Sequence, residues 1–179
     1  MALLELPVSF MHPISGSSGK GERGVHRTLT LKAKLHAKAP AYAEFEPSFL
    51  NLRLSRSFTK QKKLIQYVLA KIDCGMSNNG VALDYSQRTI EHIAPQSSVS
   101  ASTLTDAQIG NIGNLILVEK GFNNNKLGNK TFAAKKALLQ KSKVFLDPVI
   151  EKATDWTAVE ITERAKWLAT TAIQVVWKI

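Results

Sequence analysis

The sequence predicts an α+β domain, mostly helical, in which a small ββα unit packs against C-terminal helices. Three observations predict it. Two short segments, residues 88–93 (RTIEHI) and 114–118 (NLILV), have the length and composition of strands. A helical stretch from about Phe132 to Lys141 follows the second of them. Farther on, Ile161, Ala165, Leu168, Ala169, Ala172, Ile173 and Val176 recur at helical spacing and form one continuous apolar face.

From the N-terminus, residues 1–40 read as a weakly structured basic arm or the remnant of a missing upstream domain. Ser15 to Gly24 is rich in serine and glycine, and Arg27, Lys32, Lys34 and Lys38 follow with few acids. Residues 58–73 read as a helix, because Leu64, Ile65, Val68, Leu69 and Ile72 share a face. Lys60, Lys62 and Lys63 stand at its start, where the helix dipole disfavours cations. Asn78-Asn79-Gly80 signals a turn. The first strand is stopped by Pro95, a serine-rich loop covers Ser97 to Ser102, and Thr105 to Ile109 reads as a short helical turn. After the second strand, Gly121 and a cluster of asparagines form a loop. Thr157 and Glu160 are spaced as a capping box for the last helix, and Trp156 and Trp177 flank it as core residues.

Composition narrows the function classes. With 179 residues, of which 44% are apolar, the chain can bury a core, and general disorder is excluded. Lys and Arg number 24 against 14 Asp and Glu, a net charge of +10, so a polyanion is the natural partner and nucleic acid fits best. Many soluble proteins are basic without binding anything, so charge alone does not decide. No apolar run approaches the length of a membrane span, and no amphipathic segment clusters its basic residues for a membrane surface. Met1 to Met11 lacks a leading positive charge and makes a poor signal peptide. The single cysteine, Cys74, permits no disulfide within the chain, which suits the cytoplasm, and reads as a small buried hydrophobe.

Chemistry concentrates in three pieces: Glu91-His92 with Pro95 and Gln96, then Asn114, then Asn123, Asn124 and Asn125. They fall in the order strand, strand, loop-to-helix, which builds a ββα unit round one metal ion. Hydrolysis of a phosphodiester needs a group that takes a proton from the attacking water, and a histidine of pKa near ~6.5 suits this. It also needs a cation for the developing negative charge, and the oxygens of Glu and Asn are ligands for magnesium or manganese. Taken singly, a histidine beside a glutamate is more often a surface or core residue, and asparagine-rich loops are usually turns; the joint pattern is what carries the reading. One geometric objection stands. Neighbours on an ideal strand point to opposite faces, so Glu91 and His92 share a site only if the strand twists or ends there.

The segments TIEHIAPQ (from Thr89), IGNLILV (from Ile112) and NNNKLGNKTFAAKK (from Asn123) resemble the HNH, or His-Me finger, nucleases. More closely they resemble the C-terminal nuclease domain of the GmrSD-type restriction endonucleases. That family reads Glu-His-Ile-x-Pro-Gln, Ile-Gly-Asn-Leu, then an Asn followed by Leu-x-Asn and Phe-x-x-Lys, and ends with a Trp, an Ile-x-x-Arg and a terminal helix. Trp156, Ile161 with Arg164, and the helix to Trp177 match the last part. The resemblance runs from about residue 45 to 179 and is densest between residues 89 and 136.

The resemblance implies a nuclease domain over residues 41–179 and a metal-dependent endonuclease acting on DNA, in restriction or defence. It implies His92 as general base, Glu91 as acidic metal ligand and Asn114 as the middle asparagine that ties the strands together. Asn123 matches the last metal-binding residue by its distance from Asn114 and Lys126, while Asn124 fits the Leu-x-Asn spacing better, and the choice stays open. Lys126, Lys130, Lys135 and Arg164 are candidates for nucleic-acid contacts, with solvated surface residues as the plain alternative. The implied partner is double-stranded DNA, the cofactor Mg2+ or Mn2+. Full-length relatives also carry a nucleotide-hydrolysing domain, for which this length leaves no room, so a separate partner bearing it is one expectation and a truncated remnant another. The competing class is a catalytically silent nucleic-acid-binding module.

Overall fold

A computed structural model of the chain describes residues 33–34, 37–77, 87–97, 104–122, 126–142 and 144–177. The expected basic arm falls almost wholly outside these residues, as do the turn at Asn78-Asn79-Gly80, all of the serine-rich loop beyond Ser97, and Asn123, Asn124 and Asn125. All the elements described below belong to one unit, Pro40–Lys178.

Among the described residues the fold is α+β and mostly helical, with one small sheet. Helix α1 spans Tyr42–Leu50, a stretch that the sequence leaves unassigned, and holds Pro47, which removes a backbone donor. It forms nonetheless because Phe45 and Phe49 lie one turn apart and their rings pack at 5.3 Å. Helix α2 spans Lys62–Met76. Of its expected apolar face, Ile65, Val68, Leu69 and Ile72 are buried, each contributing about 1.5–3 kcal/mol of stabilisation. Leu64, expected on the same face, is half exposed, because the buried stripe follows residues 65, 68, 69 and 72 and leaves 64 at its edge. Cys74, expected to be buried, is exposed.

Strands β1 (Arg88–His92) and β2 (Leu115–Glu119) pair antiparallel, with Glu91 opposite Ile116 and His92 opposite Leu115. Between them lie the short helix α3 (Asp106–Ile109), opened by a capping box from Thr105 and Gln108, and a 3-10 turn at Ile112–Asn114. Asn114, expected to begin the second strand, closes this turn instead. Helix α4 (Phe132–Gln140) follows with Thr131 as its N-cap, then α5 (Pro148–Lys152) with Asp147 as its N-cap. Helix α6 covers Ala158–Thr171 and continues as a π-helical segment to Val176. Its expected capping box from Thr157 and Glu160 is present.

The two-stranded sheet separates two apolar clusters. Cross-strand partners share a face. Ile90, Leu115 and Leu117 pack with α1, α2 and the middle of α6. Ile116 and Val118 face the other way, toward Leu139 of α4, Ile150, Trp156 and Ile161. Helix α6 thus contributes to both clusters. It lies so close to the 3-10 turn that a Cβ on Gly113 would sit 1.9 Å from the Ile161 carbonyl oxygen, so only glycine fits there. Among the described residues, no helix is long and apolar enough to cross a membrane.

Candidate active site

The sheet ends at His92, and the chain turns at Ile93 to Pro95. Asn114 fixes that turn. Its side-chain oxygen accepts from the Ala94 N–H (2.8 Å) and from the Trp156 indole N–H (2.9 Å). Its amide nitrogen donates to the carbonyls of Ala94 (3.0 Å) and Ile109 (2.8 Å). Both donors and both acceptor positions of the amide are therefore used, which is the full capacity of an asparagine side chain. Its own carbonyl accepts from Ile93 N–H at 2.9 Å. Asn114 is fully buried. It holds the end of β1, the end of α3 and Trp156 in one geometry, and it touches no solvent.

His92 is 8% exposed. Its Nε2 lies 2.8 Å from the Leu54 carbonyl oxygen. A carbonyl can only accept, so Nε2 carries the proton. In the neutral ring the lone pair is then left on Nδ1, which faces Gln96 Nε2 at 3.5 Å. Burial holds the imidazole pKa below its ordinary value, and Lys135 pushes the same way; the bond to Leu54 and the charges of Glu91 and Asp106 oppose them. Gln96 in turn accepts from the Arg56 N–H at 2.9 Å.

The alternation of the strand holds to its end, and Glu91 leaves the opposite face from His92. Glu91 meets Lys135, whose ammonium donates to Glu91 Oε1 and to the His92 carbonyl oxygen, both at 2.6 Å. Lys135 is fully buried, so it cannot contact a phosphate backbone at the surface, and the expectation that it does is corrected. Burial lowers its pKa and the partnership with Glu91 counters that shift. Arg164 needs the same correction. It is 3% exposed, with Nε donating to Asp147 Oδ2 at 2.6 Å and Nη1 donating to the carbonyls of Gly113 (2.8 Å) and Leu115 (2.7 Å). Those carbonyls flank Asn114, so Arg164 braces the turn from the α6 side.

Lys126 and Lys130 are exposed, and the Lys126 ammonium lies over the Phe122 ring at 5.6 Å. Asn123 and Asn124 lie outside the described residues. Among the described residues no three His, Cys, Asp or Glu side chains gather as a metal site. Glu91 Oε2 forms no hydrogen bond to a described residue, and its side chain is 12% exposed. The sequence reading missed the Leu54 carbonyl, a backbone contribution with no residue signature, and the bond from Trp156 to Asn114. Gln96 was visible in the TIEHIAPQ segment, but not its link to Arg56.

The site thus consists of a buried asparagine clamp and a strand-end histidine whose Nδ1 faces Gln96 Nε2, in a basic chain. The sequence from residue 39 to 171 matches the family model for the GmrSD restriction endonucleases, C-terminal domain. The chain belongs to that family. No curated protein matches it.

Proposed function

We propose that this chain is a metal-dependent endonuclease of the His-Me finger type that hydrolyses phosphodiester bonds in double-stranded DNA, with His92 as general base. The observation that carries the reading is the contact of His92 Nε2 with the Leu54 carbonyl, which assigns the ring proton to Nε2. With Nε2 bound to Leu54, Nδ1 keeps its lone pair, and a depressed pKa keeps the ring neutral near pH 7. Such a nitrogen can take the proton of a water attacking phosphorus. Asn114 serves as a positioning residue, because it fixes the turn that follows His92.

A hard divalent ion suits the available donors. Magnesium commonly keeps several waters and takes one or two carboxylates together with substrate phosphate. Glu91 Oε2, which forms no hydrogen bond to a described residue, makes with the amide oxygen of Asn123 or Asn124 a donor set of that kind. Glu91 leaves β1 on the face opposite His92, so the two can serve one site only round the end of the strand. The ion would stabilise negative charge on the phosphoryl and leaving oxygens. Lys126 and Lys130 are surface cations for the DNA backbone. The nuclease unit would occupy residues 41–179 and act in the cytoplasm, in defence, alongside a separate nucleotide-hydrolysing partner. The engagement of Glu91 by Lys135 favours a second reading, a binding module without turnover.

Incubation with plasmid DNA, plain and glucosylated or methylated, with and without magnesium, separates the two. The wild-type chain should nick or linearise DNA only with the metal, and the acid limb of its rate should fall below about pH 6.5, the ordinary histidine value. His92→Ala should lose cleavage and keep binding. Cleavage in excess chelator, or by the alanine variant at the wild-type rate, would end the proposal.

A further inference from the structure

The stretch Arg53-Leu54-Ser55-Arg56-Ser57-Phe58-Thr59-Lys60 joins α1 to α2 and holds three cations and no acid. Its shape is set by the backbone. Leu54 N–H donates to the Gly110 carbonyl at 2.7 Å, and Arg53 N–H donates to Gln61 Oε1 at 2.9 Å. Ser55 and Phe58 exchange N–H to carbonyl bonds at 3.0 and 3.3 Å, which puts Arg56 and Ser57 at the two central positions of a tight turn. Beneath the turn, the buried Ser55 hydroxyl donates to Asp106 Oδ2 at 3.1 Å and accepts from Ser57 N–H at 3.2 Å.

This turn is fastened to His92 twice. The Leu54 carbonyl takes the Nε2 proton. Gln96 takes the Arg56 N–H while its own amide faces His92 Nδ1. Arg56 is therefore one side chain, Gln96, removed from His92 Nδ1. Its guanidinium is exposed and makes no hydrogen bond or ion pair among the described residues, whereas Lys135, Arg164 and Arg88 each hold a carboxylate. Arg53 lies over the Phe58 ring at 5.8 Å, and its only side-chain bond among the described residues is a 3.3 Å contact to Asn51. A planar, permanently charged fork on a fixed turn, with no acid of its own, is suited to a phosphate.

We infer that residues 53–60 form a phosphate-backbone grip for duplex DNA at the edge of the His92 site, with Arg56 as its principal contact. The choice of DNA rests on the nuclease reading; the grip itself does not require turnover. It places the substrate-holding cations upstream of the strand pair, on a loop bonded to the histidine.

The test is fluorescence anisotropy of a short labelled DNA duplex with the full chain in chelator, over a range of salt. Arg56→Ala should weaken binding by about tenfold at low salt and reduce the slope of log affinity against log salt by about one. Arg56→Lys should recover much of the slope, since it restores the charge. Lys71→Ala on α2 removes the same charge elsewhere and should change affinity by no more than about twofold under screening. An Arg56→Ala variant that binds as Lys71→Ala does, or a wild-type chain without affinity for the duplex, overturns the grip. The two readings fail separately. Weakened binding in Arg56→Ala with no cleavage by the wild type removes the nuclease and keeps the grip; cleavage by the wild type with unaltered binding in Arg56→Ala does the reverse.

Discussion

Two groups of cations divide this molecule, and their surroundings differ more than their chemistry. Lys135 and Arg164 are sealed, each with a carboxylate at 2.6 Å and with backbone carbonyls taking further donors. Arg56 stands exposed and makes no ion pair among the described residues, while the Ser55 hydroxyl beneath it bonds Asp106. A net charge of +10 counts both groups alike. What separates a cation that braces the fold from one free to hold a ligand is the company it keeps. A buried cation whose N–H groups already donate to a carboxylate and to carbonyls is out of reach of a phosphate, whereas an exposed and unpaired one is not.

The largest effect that would break this division is expected at Arg164. Replacing it by Ala leaves Asp147 buried without its cation and leaves the Gly113 and Leu115 carbonyls without their donor. Loss of one partner of a buried pair costs about 3–5 kcal/mol. Urea denaturation should show a loss of this size. If Arg164→Ala instead melted like the wild type and lost DNA affinity with a reduced salt slope, the residue would belong with the exposed group and not with the braces.

Lys135 should give a smaller loss, because Glu91 is 12% exposed and can regain water once unpaired. Lys135→Met should destabilise by about 2–3 kcal/mol, and Glu91→Leu in the same chain should recover part of that. A double-mutant cycle with no coupling would show that the pair does not hold the strand end. Salt dependence of DNA binding in Lys135→Met should stay at the wild-type slope, in contrast to Arg56→Ala.

These contrasts also explain what the sequence could and could not reveal. The Ala158–Thr171 part of helix α6 was legible, because its apolar period and the Thr157–Glu160 box are local signals, whereas its π-helical continuation was not. The strand pair was legible to within a residue at each end. The spacing of short motifs singled out His92 and Asn114, and the Asn114 side chain bonds the turn that follows His92. Lys135 and Arg164 were misplaced at the surface because nothing within four residues of either announces Glu91 or Asp147. Their burial comes from pairs 44 and 17 positions apart. The Arg56 turn was invisible for the same reason. Its link to the histidine runs through a backbone carbonyl and a glutamine 40 positions away. Local periodicity encodes elements, whereas the partner of a charge is set by how those elements pack.

The smallest effect concerns a third ion pair, which sharpens the comparison because it is less complete. Asp73 at the end of α2 meets Arg88 at the start of β1 at 3.2 Å, and both side chains are nearly buried. Burial raises the Asp73 pKa from 3.8 to about 7, with the Arg88 and Arg164 charges pulling it down only in part. The folded chain therefore binds a proton that the unfolded chain has already released. Asp73 is most favourable to the fold below the unfolded value, and its contribution is lost as pH rises toward about 7. One bound proton of difference corresponds to about 1.4 kcal/mol per pH unit, so between about pH 5 and about pH 6.5 the loss is about 2 kcal/mol. Asp73→Asn cannot ionise and should lack this slope. His92 acts with the opposite sign in the same range, because its depressed pKa makes stability fall as pH drops below about 6.5. The measurement is thus the difference between wild type and Asp73→Asn at each pH, in which the histidine term cancels. A difference that does not grow with pH would mean that Arg88 keeps Asp73 ionised in the folded chain, and this pair would then stand with the other two.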